Sequence, residues 1–582
     1  MRTNVRCSLA ELQRSPRALA VLVALALCAP HSMGCAGCRG GAEAPSAQAP
    51  TDSRSAAEIT TALASALPSD THAVVMVRSW RSALERYEDA RPQLEAITGD
   101  VGFVETDLRN TLGVDLRSPA TLGDAGIALD GGAAFASYGE ARFTVLLTED
   151  SAALDARMRE ILPEQPFALQ AEPEVRTLEN ATLTLFRRRA GDDPLVGLAI
   201  LGEHAALFRE MSADQMESLT RSLAAAKSGA NLAETELFTR AARDAGDHDL
   251  LCWASGPSLA EAGEVSDALA DLVDGLNAEL INSALTGLGE SAAYLTMDSD
   301  GIRGDFTLRP SAAAFEESAA LVGESGVPDF AGLVDASSFV VMRATVSPTK
   351  LADLMSTWRG RHQADLDVEA LDELDALIGM SLEDELAPAL GSNLLGLMTR
   401  QRLMTLSRAM NSGAPGEWFS GLGAVVALDV RDRDVVQRAL ESLVANLDGR
   451  AATFSSNGTF VLEFTDAQAD IGNLVLTDSA LLLVPARQRA ELVERVTEGG
   501  PSEGSGVALE LAQGALANGV YVDMQQIVSG PLGRVGFARL PTEVQRAFGR
   551  TSQISFTLSA EDAGYTGRLV VDFAPLASAT AD

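Results

Sequence analysis

The strongest constraint on the fold is that the second half of this chain repeats features of the first. Five features recur in the same order: a buried strand with an arginine, a strand with an aspartate and an amphipathic helix, a turn with a short strand and a helix, a lone strand, and a hairpin with Gly-x-x-Gly near its turn. They lie at 72–78, 143–162, 201–219, 248–254 and 293–308, and again at 339–344, 424–444, 476–496, 519–524 and 554–573.

The spacing of these features predicts two tandem related modules. Matching features lie about 260–280 residues apart, and ordered similarity at such a spacing indicates a repeated unit. The cluster of Gly and Pro in GESGVPDF, 323–330, is typical of a domain boundary. We therefore predict a first module over 59–322 and a second module over 323–578.

Each module is predicted to be α+β, with an antiparallel sheet and packed helices. Many predicted strands alternate apolar and polar residues, which is typical of sheets with one solvated face. SSNGTF, 455–460, predicts a hairpin, because Asn-Gly adopts the positive φ of a tight turn. Strand–turn–strand units outnumber β–α–β units, which favours α+β over a doubly wound parallel fold.

The first 34 residues are predicted to be a signal peptide. A basic start precedes ALAVLVALAL, 18–27, an apolar core well short of the roughly 20 residues that span a membrane. The order basic start, apolar core and Gly34-Cys35 resembles the signal of bacterial lipoproteins, in which the cysteine is lipidated. We predict lipidation of Cys35, with Cys38 as the second choice. Simple cleavage with release is the alternative.

The pair Cys35 and Cys38 also has the spacing of redox and zinc motifs. Residues 35–58 are rich in Ala, Pro, Ser and Gly, which predicts a disordered linker and not the helix start of a redox pair. A zinc site needs more ligands, and the only later cysteine is Cys252. These contexts favour lipidation over redox or metal chemistry.

Charge and cysteine content limit the partners and the source of stability. A net charge of −36 repels phosphate backbones, so nucleic acid is excluded as a partner. One cysteine beyond the linker means that disulfides do not hold the exported chain together. The fold must therefore rest on apolar cores.

Several motifs resemble a family of uncharacterised exported bacterial proteins, described only as a domain of unknown function. They are the L-P-x-D opening in LPSDTHAVVMV, 67–77, the segment LGVDL, 112–116, and KSGANLAETELF, 227–238. The resemblance covers most of 67–310 and, more weakly, 327–575, where the opening lacks its proline. It implies a fold and an envelope location, and it carries no catalytic residues.

No catalytic, metal or cofactor motif emerges. The sequence has no H-E-x-x-H, G-x-S-x-G or G-x-x-x-x-G-K-[ST] motif. We interpret His248 as a solvated turn histidine and not as a metal ligand or proton relay. DSDG, 298–301, lacks the ligand spacing of a calcium loop. Cys252 lies in a predicted buried strand and is interpreted as a core residue. We predict no cofactor and no metal.

The second module carries an insertion at 391–418, where the first module has the short segment 130–142. The insertion brings arginines into an acidic chain, and its Leu and Met residues could form an apolar stripe on a helix. Such helices bind partners or lie on membranes. The candidate partner-binding residues are Arg400, Arg402, Leu403, Met404 and Met410. The other interpretation is a helix packed on its own module.

These features predict a non-enzymatic lipoprotein of the bacterial cell envelope, anchored to a membrane by its N-terminal lipid. It would act as a binding or scaffold protein for an envelope protein or a small ligand. Two alternatives stay open. One is a secreted hydrolase with a site assembled between the modules, and the other is a periplasmic carrier of apolar molecules. Without the lipid, the protein would be periplasmic or secreted.

Overall fold

A computed structural model describes most of residues 54–575. Outside the description lie 1–53, 99–119, 163–171, 257–288, 354–373, 400–422, 465–471, 498–505, 534–541 and 576–582, with several shorter gaps. The described chain divides into two compact units, the first ending at Ser311 and the second beginning at Ala312. Both units combine helices with antiparallel strands, so the predicted α+β class is confirmed.

The described residues of the first unit form ten antiparallel strands. Its helices are α1 (Ala56–Ser65), α2 (Trp80–Thr98), α3 (Ala120–Asp124), α4 (Ser151–Ile161), α5 (Ala213–Ala226) and α6 (Glu236–Asp244). Its strands are β1 (Ala73–Val77), β2 (Ala133–Tyr138), β3 (Ala141–Leu147), β4 (Glu174–Leu178), β5 (Ala181–Arg187), β6 (Pro194–Leu201), β7 (His204–Arg209), β8 (Leu250–Ser255), β9 (Glu290–Met297) and β10 (Gly301–Arg309). Their order is β4-β5-β6-β7-β3-β2-β1-β8-β9-β10.

The second unit also has ten antiparallel strands in its described residues. Its helices are α7 (Ala312–Ala320), α8 (Ala387–Ala389), α9 (Arg433–Asn446), α10 (Arg489–Thr497), α11 (Gly506–Ala512), α12 (Met524–Ser529) and α13 (Thr542–Arg550). Its strands are β11 (Val340–Thr345), β12 (Leu390–Met398), β13 (Ala424–Val430), β14 (Ala451–Ser456), β15 (Thr459–Phe464), β16 (Asn473–Leu476), β17 (Ala480–Val484), β18 (Asn518–Asp523), β19 (Thr551–Glu561) and β20 (Gly564–Phe573).

The strand order of the second unit is β14-β15-β16-β17-β13-β12-β11-β18-β19-β20. Counted from the start of each unit, this is the order found in the first unit. In both, the fourth to seventh strands come first, then the third, second and first, and then the eighth to tenth. The first strand of each unit therefore lies near the middle of its sheet.

The feature of a strand, an aspartate and a helix has the same local structure in both units. Asp150 accepts hydrogen bonds from two first-turn N–H groups of α4, both at 3.0 Å. Asp432 does the same at the start of α9, at 3.1 and 3.2 Å. A helix leaves its first N–H groups without intrahelical partners, so a side-chain acceptor at this position fixes where the helix begins.

In both units the central strands bury one sheet face under helices. In the first unit, buried side chains of α1, α5 and α6 pack with Val74 and Met76 of β1. In the second unit, α10 and α11 pack with Val341 of β11. The opposite face is covered near β3, β6 and β7 by α3 and α4, and near β15 and β16 by α9.

The predicted linker extends too far into the first unit. Ser55 and Glu58 form a capping box, in which Ser55 Oγ accepts from Glu58 N at 3.3 Å and Glu58 Oε2 accepts from Ser55 N at 2.7 Å. These paired bonds make 55–58 the first turn of α1. Ile59 and Leu63 of α1 are then fully buried, so the ordered unit begins before residue 59.

The predicted module boundary at 322/323 also differs from the division at 311/312. Helix α7 follows Ser311 and belongs to the second unit. Its Phe315 ring packs edge-on against Tyr565 of β20, with ring centroids 5.6 Å apart. The Gly and Pro cluster at 323–330 therefore lies inside the second unit.

Candidate functional site

The side chain of Arg78 is buried at the centre of the first unit. It is 1% exposed, and its Nη1 donates to the backbone oxygens of Ala245, Gly246 and His248 at 3.0, 2.8 and 2.9 Å. Its Nε donates to Thr60 Oγ1 at 3.0 Å. These carbonyls follow the end of α6, where the helix dipole attracts a cation. Arg78 thus ties β1 to α1 and to the end of α6.

Arg343 holds the matching position in the second unit. It is 1% exposed, and its Nη1 donates to Leu511 O in the last turn of α11 at 2.9 Å. Its Nη2 donates to Asn393 Oδ1 of β12 at 2.6 Å and to Gly326 O. Arg78 and Ala245 lie 167 residues apart, and Arg343 and Leu511 lie 168 apart. The same contact recurs at nearly the same separation.

Superposing the two units on Arg78 and Arg343 shifts their V-V-M triplets by one residue. Met76 lies two residues before Arg78, whereas Met342 lies one residue before Arg343. Val74 and Met76 share the buried face of β1 with Arg78. In β11, Val341 shares that face with Arg343, whereas Val340 and Met342 lie half-buried on the other face. Side chains alternate across a strand, so a shift of one residue moves each of them to the opposite face.

Replacing either arginine by methionine is expected to destabilise the protein by about 3 kcal/mol or more, because each substitution removes at least three hydrogen bonds from a charged donor, at about 1.5–3 kcal/mol apiece. Methionine keeps much of the side-chain volume, so the loss reports the hydrogen bonds. The measurement is chemical denaturation of Arg78→Met and Arg343→Met.

Arg157→Met is the matched control for this comparison. Arg157 is 36% exposed and pairs with Glu160 on the surface of α4, and exposed ion pairs contribute about 0–1 kcal/mol. Equal effects for Arg78→Met and the control would show that the buried contacts carry no special stability.

His248 is packed and not a solvated turn residue, so that interpretation was wrong. Its side chain is 18% exposed and stacks on Tyr294 at 6.1 Å between ring centroids. Nδ1 lies 2.9 Å from Thr296 Oγ1 and Nε2 lies 3.2 Å from Asp305 Oδ2. Both partners lie on the β9–β10 hairpin. They come 48 and 57 residues later in the chain, beyond the range of local sequence patterns.

His204 is a buried histidine that sequence reasoning did not single out. It is 1% exposed, and its Nε2 lies 2.9 Å from Ala62 O of α1. Its Nδ1 has no hydrogen-bond partner among the described residues. Burial lowers the pKa of this imidazole, because the charged form loses its hydration. Together with Arg78, it fastens α1 to the sheet.

The lowered pKa of His204 predicts a loss of stability in acid. The unfolded state takes up this proton near pH 6.5, whereas the folded state takes it up only at lower pH. The contribution is therefore complete above pH 6.5 and is lost as the pH falls below it. Between pH 7.5 and 5, the free energy of unfolding should fall less in His204→Gln than in the wild type. An identical fall in both proteins would contradict this role.

A buried carboxylate lies at the start of β9. Glu290 is 2% exposed and accepts from Trp253 Nε1 at 2.9 Å and from Arg309 Nη1 at 3.4 Å. Arg309 also donates to Asp244 Oδ2 at 2.9 Å. Burial raises the pKa of Glu290, and the bonds from Trp253 and Arg309 oppose that effect. The two carboxylates share an arginine in a structural network.

The remaining candidates for chemistry have structural roles. Cys252 is buried, and burial raises the pKa of its thiol to about 12, which disfavours the reactive thiolate. Asp298 of the DSDG turn accepts from the backbone N–H groups of Asp300 and Gly301 and pairs with Arg303. Within the described ranges, no three His, Cys, Asp or Glu side chains are placed to hold a metal ion.

The insertion predicted at 391–418 begins later in the structure, after residue 399. Residues 391–398 belong to β12, which pairs with β11 and β13. The added segment starts after Thr399, whose N and Oγ1 both donate to Gly423 O at 3.2 Å. In the first unit the matching strands β2 and β3 pair as far as Tyr138 and Ala141, so only two residues separate them in the sequence. The hydrogen-bonded pair Thr399 and Gly423 therefore marks both ends of the added segment at the sheet.

The predicted site residues themselves lie outside the described residues. These are Cys35, Arg400, Arg402, Leu403, Met404 and Met410. The structure describes only the root of the segment that carries the last five, at Thr399 and Gly423. Among the described helices, none combines the length and apolar composition needed to cross a membrane.

Comparisons with known proteins add little to this geometry. No family model matches the chain, and no curated protein matches it. A solved structure, crystal form I of TP0453, is similar at 10% identity over 46% of this chain and 87% of its own, with a TM-score of 0.24. A likeness at that level carries no argument about fold or function.

Proposed function

We propose that this chain is a non-enzymatic binding protein of the bacterial cell envelope, held at a membrane by a lipid on Cys35. It consists of two copies of one α+β module, and the second copy presents a partner-docking segment, residues 400–422. The partner is an envelope protein with an acidic surface. The basic residues of the segment and the apolar residues beside them supply the docking contacts.

The observation that carries the proposal is the root of this segment at Thr399 and Gly423. The two units share their strand order, yet a two-residue turn in one is replaced by 400–422 in the other. Recognition sites are commonly loops positioned by a rigid scaffold. Here the scaffold is the β12–β13 pair, and the segment brings arginines into a chain with a net charge of −36.

The titratable groups also favour binding over catalysis. His248, His204, Glu290 and Cys252 are each packed into the fold and are not gathered in an accessible cleft of the described residues. Nucleophilic or acid–base catalysis needs a reactive group within reach of a substrate. Their contacts with neighbouring side chains and backbone groups explain these residues through stability of the fold.

A photo-crosslinking residue at Met404 is expected to capture one envelope protein in intact cells, while the same residue at Glu140 captures none. Combining it with Arg400→Ser and Arg402→Ser should reduce the captured product at least tenfold, because each charge-assisted hydrogen bond contributes about 1.5–3 kcal/mol and 1.4 kcal/mol is tenfold. The readout is the mass and amount of the crosslinked species.

Arg157→Ser and Arg240→Ser form the matched control, since both arginines lie on helices of the first unit with 36% of the side chain exposed. That variant should leave the crosslinked product unchanged. The proposal fails if Met404 captures nothing, or if the product survives loss of Arg400 and Arg402.

A further inference from the structure

The sheet of the second unit ends in a strand whose outer edge is open in the described part of the chain. Strand β14 comes first in the strand order of its unit, and among the described strands it pairs with β15 alone. Four of its residues are exposed: Ala452, Thr453, Phe454 and Ser455. The outermost strand of a sheet presents backbone N–H and C=O groups along its edge, and another strand can bind them.

The register of the β14–β15 hairpin indicates which backbone groups point outward. Ser456 is paired with Thr459, so two residues form the turn between the strands. In a two-residue hairpin the pair beside the turn exchanges N–H···O bonds, and every second pair beyond it does the same. Phe454 therefore bonds to β15, whereas Thr453 and Ser455 direct their N–H and C=O groups away from it.

The matching strand of the first unit, β4, has charged side chains along its edge. Arg176 lies in the middle of β4 and donates to Glu174 and to Glu217 of α5, both at 2.7 Å. Glu174 also pairs with Arg187 at 3.0 Å. Charged side chains on an outermost strand oppose pairing with another chain, because their hydration would be lost. The first unit therefore has an edge that resists the addition of a strand.

Strand β14 has a phenylalanine where β4 has this arginine, since Phe454 and Arg176 both lie two residues before the pair that closes the turn. The sequence of β14, AATFSS, contains no charged residue. Phe454 is 37% exposed, and the guanidinium of Arg489 in α10 lies 4.8 Å from the centroid of its ring. Arg489 Nη1 also lies 3.9 Å from Glu463 Oε2, which offsets its charge. No charge in β14 itself opposes pairing with an identical strand.

We propose that β14 pairs antiparallel with β14 of a second copy of this chain, with Phe454 opposite the partner's Phe454. A two-fold axis lets the same edge serve both chains. In this register Thr453 bonds to the partner's Ser455, and Ser455 bonds to the partner's Thr453, which uses the outward backbone groups. The two phenylalanines form a pair without mutual hydrogen bonds, the arrangement that brings facing side chains closest.

The aromatic side chain selects this register from the symmetric ones. A pair centred on Thr453 would place Phe454 opposite Ala452, whereas a pair centred on Phe454 brings two rings together. A six-residue strand is about 20 Å long, so the contact lies at the small end of specific interfaces. The association needs neither the lipid on Cys35 nor residues 400–422, and it therefore goes beyond the proposed function.

A cysteine at the two-fold axis tests this pairing in intact cells that make the full-length protein with Cys38→Ser. Cys252 is retained, because burial raises the pKa of its thiol to about 12. Under mild oxidation, Phe454→Cys should form a disulfide-linked dimer at least ten times faster than Ala452→Cys. Facing Cα atoms at the axis lie about 4.5 Å apart, within disulfide range, whereas the two Ala452 positions lie about 13 Å apart along the strands. Peptide mapping identifies the linked cysteines.

Proline variants give a second measurement in which Phe454 is kept. Thr453→Pro removes an outward N–H and leaves the bonds to β15 in place. It should raise the dissociation constant of the dimer at least tenfold, as measured by sedimentation of the purified full-length protein. Val175→Pro is the matched control, because Val175 holds the same position in β4 and is 51% exposed. This variant should leave the dissociation constant unchanged.

Equal disulfide rates for Phe454→Cys and Ala452→Cys would overturn the pairing. A disulfide from Phe454→Cys to a different protein would also overturn it, since another protein's strand would then occupy the edge. The same holds if the wild type does not dimerise, or if Thr453→Pro and Val175→Pro act alike. Loss of the envelope crosslink at Met404 with an unchanged Phe454→Cys disulfide would count against the proposed function alone.

Discussion

The fold of each unit depends on one buried arginine, Arg78 in the first and Arg343 in the second. A guanidinium in an apolar core is costly unless oxygen acceptors surround it. Both side chains find them at the end of the helix before the eighth strand, where the dipole is negative and a carbonyl oxygen accepts both from the arginine and from a backbone N–H. This contact fixes the first strand, the eighth strand and one helix together at the middle of the sheet. The outer strands then pair on either side.

Around the arginines, the two units use different second partners. Arg78 donates to Thr60 of α1, and Arg343 donates to Asn393 of β12. Asn393 in turn donates from its backbone N to Asp429 at 3.1 Å, and burial raises the pKa of that carboxyl. The contact with the helix end is shared, while the surrounding polar groups differ. The two units thus have the same strand order and a similar arginine contact, with different polar groups around it.

Sequence patterns predicted the positions of strands and helices better than the contacts between them. All five repeated features contain the expected strands and helices, because periodicity and turn residues are local signals. The residue-by-residue alignment of β1 with β11 follows from the burial of Arg78 and Arg343. The V-V-M triplets do not give this alignment, since such a triplet fits either face of a strand. Residues 391–398 were assigned to the insertion because their run of apolar residues and glycines hides the alternation of β12. The partners of His248 and the burial of His204 depend on tertiary contacts that no local pattern reports.

The central claim is that a lipid on Cys35 holds two related modules at an envelope membrane. Its most direct test is the intact mass of the native protein from a membrane fraction, compared with a Cys35→Ser variant. We expect the mass of a chain that begins at Cys35 and carries acyl chains, and we expect that species to be missing in the variant. A chain that begins elsewhere without lipid would contradict the claim and make this a released protein.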